Sequence, residues 1–460
     1  MIPDSFIKQM QSMLGDAEAR ELLNAIDTPS PTSIRLNPKK WKKTDAEEWL
    51  HQMGAQPVPW CRDSFYLENR PSFTADPRFH AGAYYVQEAS SMFVDHIIRQ
   101  VIPSDVPVCA LDLCAAPGGK STLLLSAMPE GSVLIANEII RQRCHILAEN
   151  LTKWGNPNII VTNNDSADFQ ALQQCFDLIL CDVPCSGEGM FRKDPRSIDE
   201  WSLQNVEMCS QRQQTIVSNI WPCLKPGGIL IYSTCTYNTQ ENEENVDWLI
   251  RRTGAEPIAV STSPEWKIKG NLLKDSNFPC YHFMPHRTCG EGFFVAVLRK
   301  GEEPVVRKAT KPEKRSSKAK ASQPLKGLLH LEDFFIEQSA KDNVFYAFPL
   351  VHATLLSQAR RHLNIVHYGI SMAVLKGKDT LQPLQSLAMS NELDTSIFTI
   401  ASLTKDAALD YLSCRSLTLP NETPRGYVLV CYDHHPLGFV KNIGSRANNL
   451  YPDEWRIRFL

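Results

Sequence analysis

Two cysteines stand where an apolar run gives way to turn-forming sequence. They are Cys185 in Asp182-Val-Pro-Cys-Ser-Gly-Glu-Gly189 and Cys235 in Ser233-Thr-Cys-Thr236. A thiolate so placed can add to C6 of a cytosine. The addition makes C5 enamine-like and able to take a methyl group, and loss of the C5 proton then expels the thiolate. Such chemistry needs a reactive thiol, a group on the N3/N4 edge of the pyrimidine, and a methyl donor such as S-adenosylmethionine nearby. An isolated cysteine is ordinarily structural, but two that both leave strand ends point to a site. Spacing alone does not choose between Cys185 and Cys235 as the nucleophile.

A ligand site is written in Leu111-Asp-Leu-Cys-Ala-Ala-Pro-Gly-Gly-Lys-Ser-Thr122. A buried strand ends at Cys114, small residues and a glycine pair follow, and a helix begins near Lys120. Glycine lets backbone approach a ligand, and the helix start offers free N–H groups. Gly118 and Gly119 are adjacent, so the segment is neither Gly-x4-Gly-Lys-[Ser/Thr] nor Gly-x-Gly-x-x-Gly. A nucleoside without phosphates fits better. The next strand, Ser132–Asn137, ends at Glu138, placed to accept hydrogen bonds from ribose hydroxyls. The third, Asn158–Asn163, leads to Asp165, placed for an adenine amino group, and the fourth, Phe176–Cys181, ends at Asp182. One acidic residue at a strand end is more often a cap or turn former. Four successive strand ends delivering small or acidic residues describe a binding edge.

The elements that must carry these residues follow from apolar periodicity. Residues 106–300 alternate apolar runs (Val106–Leu113, Val133–Ala136, Ile159–Val161, Phe176–Cys181, Ile229–Tyr232, Phe293–Leu298) with helical stretches such as Arg141–Trp154 and Gln204–Cys223. That alternation predicts an α/β domain with a parallel, doubly wound sheet. Residues 1–105 read as a small mixed module. Phe6, Met10, Met13 and Leu14 open it in a helical pattern, and Ser33-Ile-Arg-Leu-Asn37 follows as a short strand. Residues 301–326 hold eight Lys/Arg and three Glu and read as a flexible basic linker. Residues 327–460 regain apolar content as a separate C-terminal domain, with Gly426–Tyr432 and Pro436–Lys441 as two strands joined by a short turn.

Composition sets bounds. The chain has 460 residues, enough for two or three domains, and 43% apolar content. No apolar run is long enough for a transmembrane helix and the N-terminus does not read as a secretory signal. Fourteen scattered cysteines are then expected as reduced thiols in the cytoplasm. Cys181-x3-Cys185 and Cys280-x8-Cys289 are poor zinc spacings, so no metal is expected. A net charge of −3 neither supports nor excludes an RNA partner.

On these motifs the chain resembles the Sun-domain family of RNA 5-methylcytosine methyltransferases, and within it the bacterial RsmF-type rRNA enzymes. Pro285-His286, Gly290-Glu-Gly-Phe-Phe294 and Tyr85-Val-Gln-Glu-Ala-Ser-Ser91 extend the likeness, and Leu437–Lys441 with Tyr451–Ile457 resemble a PUA-like extension. The resemblance implies a Rossmann-like sheet flanked by an N-terminal RNA-capture module, to which Ser33–Asn37 and Tyr85–Ser91 belong, and a C-terminal PUA-like RNA-binding domain. It implies that Cys114, Ala115, Ala116, Pro117, Gly118, Gly119, Lys120, Glu138, Asp165 and Asp182 hold S-adenosylmethionine, with Arg143 in support. It makes Cys235 the nucleophile, gives Cys185 product release, and adds contact with the target base to Asp182. Glu138 stands where many members have Asp. The implied partner is small-subunit rRNA, acted on by a monomer, with no membrane.

Three alternatives compete. A tRNA cytosine-C5 methyltransferase would share every motif. A non-catalytic RNA-binding ribosome-assembly protein would not need Asp182, Cys185 and Cys235 intact. An amine-directed methyltransferase would carry an aromatic residue at the Asp182-Val-Pro-Cys185 strand end. The basic residues Lys441, Arg446, Arg456 and Arg458 alternate with Phe439, Tyr451, Trp455 and Phe459, a pattern suited to phosphates and unstacked bases.

Overall fold

The computed structural model describes residues 2–302, 331–377 and 380–458. The expected linker lies outside them from residue 303 onward, as does Phe459. The N-terminal helices α1 (Asp4–Leu14) and α2 (Asp16–Ile26) turn at Gly15, whose φ of 82° is a glycine conformation. Phe6, Met10, Ala19, Leu22 and Ile26 form their buried stripe and pack on Phe191, Trp201 and Met284. Each large side chain so buried contributes roughly 1.5–3 kcal/mol. A small sheet of β1 (Thr32–Leu36), β2 (Gln56–Pro57), β3 (Ser64–Leu67) and β4 (Tyr84–Val86) follows in the order β2-β3-β1-β4. Helix α3 (Lys43–Gln52) covers it through Trp49, and α4 (Pro77–His80) is one turn.

The central sheet is built from β5 (Cys109–Asp112), β6 (Val133–Asn137), β7 (Ile159–Thr162), β8 (Phe176–Asp182) and β9 (Leu224–Thr234), all parallel. Short strands β10 (Glu256–Pro257) and β11 (Tyr281–Phe283) and the longer β12 (Phe293–Arg299) extend it antiparallel. The run Val106–Leu113 yields a strand only from Cys109. Pro107 has no N–H for a ladder, and Val106 is exposed. Alternate strand residues face two cores. Ala110, Leu134 and Leu178 meet α5 (Phe93–Val101), α6 (Gly119–Ala127) and α7 (Arg141–Trp154). Leu111, Ile135 and Ile179 meet α9 (Leu203–Ile220), which follows the single turn α8 (Arg196–Glu200), and α10 (Glu243–Thr253). Helix α5 falls before residue 106, yet it packs as part of this domain. The strand order reverses at β5, between β6 and β8, which places the ligand crevice beyond the carboxyl ends of β5 and β8.

The C-terminal segment is less separate than its composition suggests. Strands β13 (Phe334–Gln338) and β14 (Val344–Pro349) lead into α11 (Ala353–His362), whose Leu356 and Ala359 pack, with Phe348 and Leu363, in the core of the central sheet. Strand β15 (Ile365–Tyr368) then pairs antiparallel with β7, so the central sheet runs β10-β12-β9-β8-β5-β6-β7-β15. The chain returns to β16 (Ile370–Lys376), β17 (Thr380–Pro383) and α12 (Gln385–Met389). A second four-stranded sheet holds β18 (Thr399–Ser402), β19 (Gly426–Tyr432), β20 (His435–Asn442) and β21 (Ala447–Asn449), with α13 (Lys405–Leu412) against it. The β19–β20 hairpin turns through Asp433 and His434, with φ of 48° and 64°, a tight two-residue turn. The pattern of alternating bases and aromatics needs correcting here. Phe439 and Tyr451 are 1% and 5% exposed and belong to the domain's cores, while Lys441, Arg446, Arg456 and Arg458 are exposed. No described helix is long and apolar enough to cross a membrane.

Candidate active site

The loop from β5 to α6 is held from outside by its carbonyls. Arg143 Nη2 on α7 donates to Ala116 O at 2.8 Å, Asn150 Nδ2 to Pro117 O at 2.7 Å, and Arg35 Nη2 to Gly119 O at 3.2 Å. Ala115 N donates to Asn137 O at 2.8 Å, tying the loop to the end of β6. Gly118 is the helix N-cap with φ of 115°. A Cβ on Gly119 would come within 3.3 Å of the Tyr85 ring, so side chains here would fill the cradle. Burial pushes the Cys114 thiol well above its ordinary range, which leaves it inert.

A cleft of about 220 Å³ opens beside this loop, lined by Cys114–Pro117, Gly119, Lys120 and Asp182 on one side and Tyr85–Glu88 and Ser91 on the other. Asp182 ends β8 with both oxygens engaged. Lys120 Nζ donates to Oδ2 at 2.8 Å and Ser233 Oγ, its register neighbour on β9, to Oδ1 at 2.7 Å. Burial works against the Lys120 charge. Asp182 more than offsets it and holds the ammonium above its ordinary pKa.

Glu138, 3% exposed, accepts from Ile140 N at 2.8 Å and lies 3.4 Å from Arg143 Nη1. Asp165 is exposed and caps the turn Ser166–Ala171 through Ala167 N at 2.8 Å. Neither lines the cleft.

The two cysteines meet. Cys185 Sγ lies 3.2 Å from Cys235 Sγ. The contact with Cys235, then burial, pushes the Cys185 thiol well above its ordinary pKa, and either sulfur can donate in the contact between them. Two buried carboxylates sew the cysteine loops together. Glu241 accepts from Ser186 N at 3.0 Å, from Ser186 Oγ and from Asn238 Nδ2 at 2.8 Å. Glu188 accepts from Tyr237 N at 2.7 Å and Asn238 N at 3.0 Å. Gly189 N donates to Cys235 O at 2.8 Å, and a Cβ on Gly189 would lie 2.7 Å from that oxygen and 2.8 Å from Gly292 Cα. Sequence reasoning missed Glu188 and Glu241, because acidic residues in a polar run read as a solvated face. Only their burial, 0% exposed, distinguishes them.

The comparisons with known proteins agree along the whole chain. The chain is 31% identical to the ribosomal RNA small subunit methyltransferase F of Escherichia coli O7:K1, over 98% of this chain and 96% of that protein. Residues 103–299 match the family model for 16S rRNA methyltransferase RsmB/F. The chain belongs to the RsmB/F methyltransferase family. Residues 2–89 match the N-terminal domain of 16S rRNA methyltransferase RsmF, and residues 398–457 the methyltransferase RsmF PUA domain. Ribosomal RNA small subunit methyltransferase F of Erwinia tasmaniensis is 30% identical over 98% of this chain and 96% of that protein. A solved methyltransferase homolog protein from Pyrococcus horikoshii superposes with a TM-score of 0.56 and 29% identity, covering 65% of this chain and 95% of that one.

An RsmB/F enzyme takes its methyl group from S-adenosylmethionine, and the residues present fit that cofactor. The helix start has first-turn N–H groups without intrahelical partners, the glycine pair leaves space for a ligand, and the buried Asp112 Oδ1 has no partner among the described residues. Within the RsmF-type N-terminal module, strand β1 turns its polar side chains inward. Ser33, Arg35 and Asn37 are 3%, 2% and 1% exposed. A buried side chain cannot capture RNA, and theirs are bonded within the protein.

Proposed function

We propose that the protein methylates C5 of a cytosine in small-subunit rRNA, with Cys235 as the nucleophile. The carrying observation is the Cys185–Cys235 contact of 3.2 Å at the carboxyl edge of β8 and β9. The choice of Cys235 over Cys185 follows the resemblance of Ser233-Thr-Cys-Thr236 to the family's motif. The loop from Cys114 to Lys120, with Glu138 and Arg143, holds the cofactor. The cofactor supplies an electrophilic methyl group. Asp182, fixed by Lys120 and Ser233, faces the N3/N4 edge of the base. Asp165, spent on its own cap, is the weakest member of the cofactor set.

The steps balance around the cysteines. Cys235 sulfur bonds to C6, and C5 takes the methyl group. With the Cys235 thiolate consumed in the S–C6 bond, Cys185 gives its own proton to solvent and becomes a base. It takes the C5 proton as the S–C6 electrons return to Cys235. One proton leaves for each methyl gained, and the resting pair is restored.

The relatives named for the small ribosomal subunit favour rRNA over tRNA. All fourteen cysteines are free thiols, which suits a reducing compartment such as the cytoplasm. Bisulfite sequencing of small-subunit rRNA and tRNA from a deletion strain tests the reading. A 5-methylcytosine missing from rRNA and restored by the gene supports it, and a loss confined to tRNA overturns it.

A further inference from the structure

Among the described residues, Arg35 is a buried charge with no carboxylate within ion-pair distance. It sits on β1 in the N-terminal module, 2% exposed, and forms no ion pair among the described residues. Its Nε donates to Gln87 Oε1 at 3.3 Å, and its Nη2 to Thr122 Oγ1 at 2.6 Å and Gly119 O at 3.2 Å. Its carbon lies 4.6 Å over the Trp154 ring, and its buried Nη1 has no partner. Burial lowers its pKa to about 10. Asp95, itself paired with Arg99, acts on the guanidinium only from beyond contact; a buried guanidinium with no bonded carboxylate is destabilising on its own account, so its place one peptide from the cofactor helix calls for a reason.

Gly119 O and Lys120 N–H belong to one peptide plane. That N–H lies in the first turn of α6, where anions bind. A cation on the carbonyl side polarises the peptide and makes its N–H a stronger donor. Asn37 and Lys40 act on the neighbouring helix. They donate to Trp154 O at 2.9 Å and Lys153 O at 2.6 Å, the last carbonyls of α7, and α7 carries the Arg143 and Asn150 that hold Ala116 and Pro117.

We propose that Arg35 is a positioning residue for the cofactor: from the N-terminal module it sets the Gly119–Lys120 peptide to receive the carboxylate end of S-adenosylmethionine, and it does not bind RNA. The inference rests on S-adenosylmethionine as the cofactor. Calorimetry with S-adenosylmethionine and with its decarboxylated analogue tests it on the full chain. Arg35→Gln should weaken the first about 10-fold and leave the second nearly unchanged, with Arg35→Lys between. Affinity for a labelled rRNA fragment, measured without cofactor, should stay the same. If Arg35→Gln does not fold, Arg35→Lys carries the comparison alone and should show the same selectivity at about 3-fold. Equal losses for both ligands, no loss for either, or loss of RNA affinity alone overturns the proposal. Wild-type protein that binds neither ligand would instead remove the cofactor reading beneath it.

Discussion

Cys185 and Cys235, fifty residues apart in sequence, sit with their sulfurs 3.2 Å apart at the carboxyl edge of β8 and β9, within reach of one base. The two should fail differently. Cys235→Ala should give neither methylation nor a covalent protein–RNA species. Cys185→Ala should allow attack and methyl transfer, then stall as a denaturation-resistant adduct. Denaturing gels with labelled RNA decide it, and an adduct from Cys235→Ala alone would reverse the roles.

Gly189 has backbone at its Cβ position, not a yielding side chain. Gly189→Ala must push the Cys235 carbonyl or Gly292 aside. We expect at least about a 10-fold fall in kcat, because misplacing a reacting group by an ångström is costly, with S-adenosylmethionine affinity unchanged by calorimetry. Unchanged kcat would show that the cysteine loops are looser than they look.

Glu138 has one oxygen committed to Ile140 N. Glu138→Ala should still raise the cofactor dissociation constant about 10- to 100-fold, nearer the lower figure. Unaltered affinity in a titration would remove Glu138 from the ribose site.

Asp112 gives a pH signature. Burial raises its carboxyl pKa to about 7, and Ser121 Oγ, donating at 2.6 Å, only partly opposes this. The folded value lies above the unfolded one near 3.8. The folded state therefore binds the extra proton, and this stability is complete at low pH and lost as pH rises through about 7. Asp112→Asn should melt higher than wild type at pH near 8, with the gap narrowing below about 7 and closing on acidification towards 3.8. The buried histidines are common to both proteins and cancel in the difference. A gap independent of pH would show the carboxylate to be stabilised as an anion.

The C-terminal region is best tested by charge, not by removal. Cutting away 301–460 takes β15 from the sheet edge and Phe348, Leu356 and Leu363 from the core, so the melting temperature should fall sharply. Reversing exposed Lys441, Arg446 and Arg458 should lower RNA affinity, and the slope of log K against log salt should shrink by about 0.7 to 0.9 per lost phosphate contact. A slope that does not move places the RNA elsewhere.

The sheet and its loaded edge were legible because buried parallel strands are continuous apolar runs and strand ends carry small or acidic residues. Cys114–Lys120, Asp182, Cys185 and Cys235 stand where those patterns put them. That Arg35 and Asn37 turn inward was not legible, because polarity in sequence does not report burial. Phe439 and Tyr451 read in sequence equally as partners of unstacked bases or as core residues, and their burial decides for the core. Nor could local pattern show β15, whose partner β7 lies about two hundred residues upstream.

That distance has a temporal meaning. During synthesis β7 emerges with its outer row of N–H and C=O groups bare, and an open edge invites pairing with other chains. Its cover, β15, is made about two hundred residues later, which at about 5–20 residues per second is on the order of 10–40 seconds. For that interval the newborn enzyme carries an unfinished seam, and the ribosome that makes it must keep that seam from strangers until the last third of the chain arrives to close it.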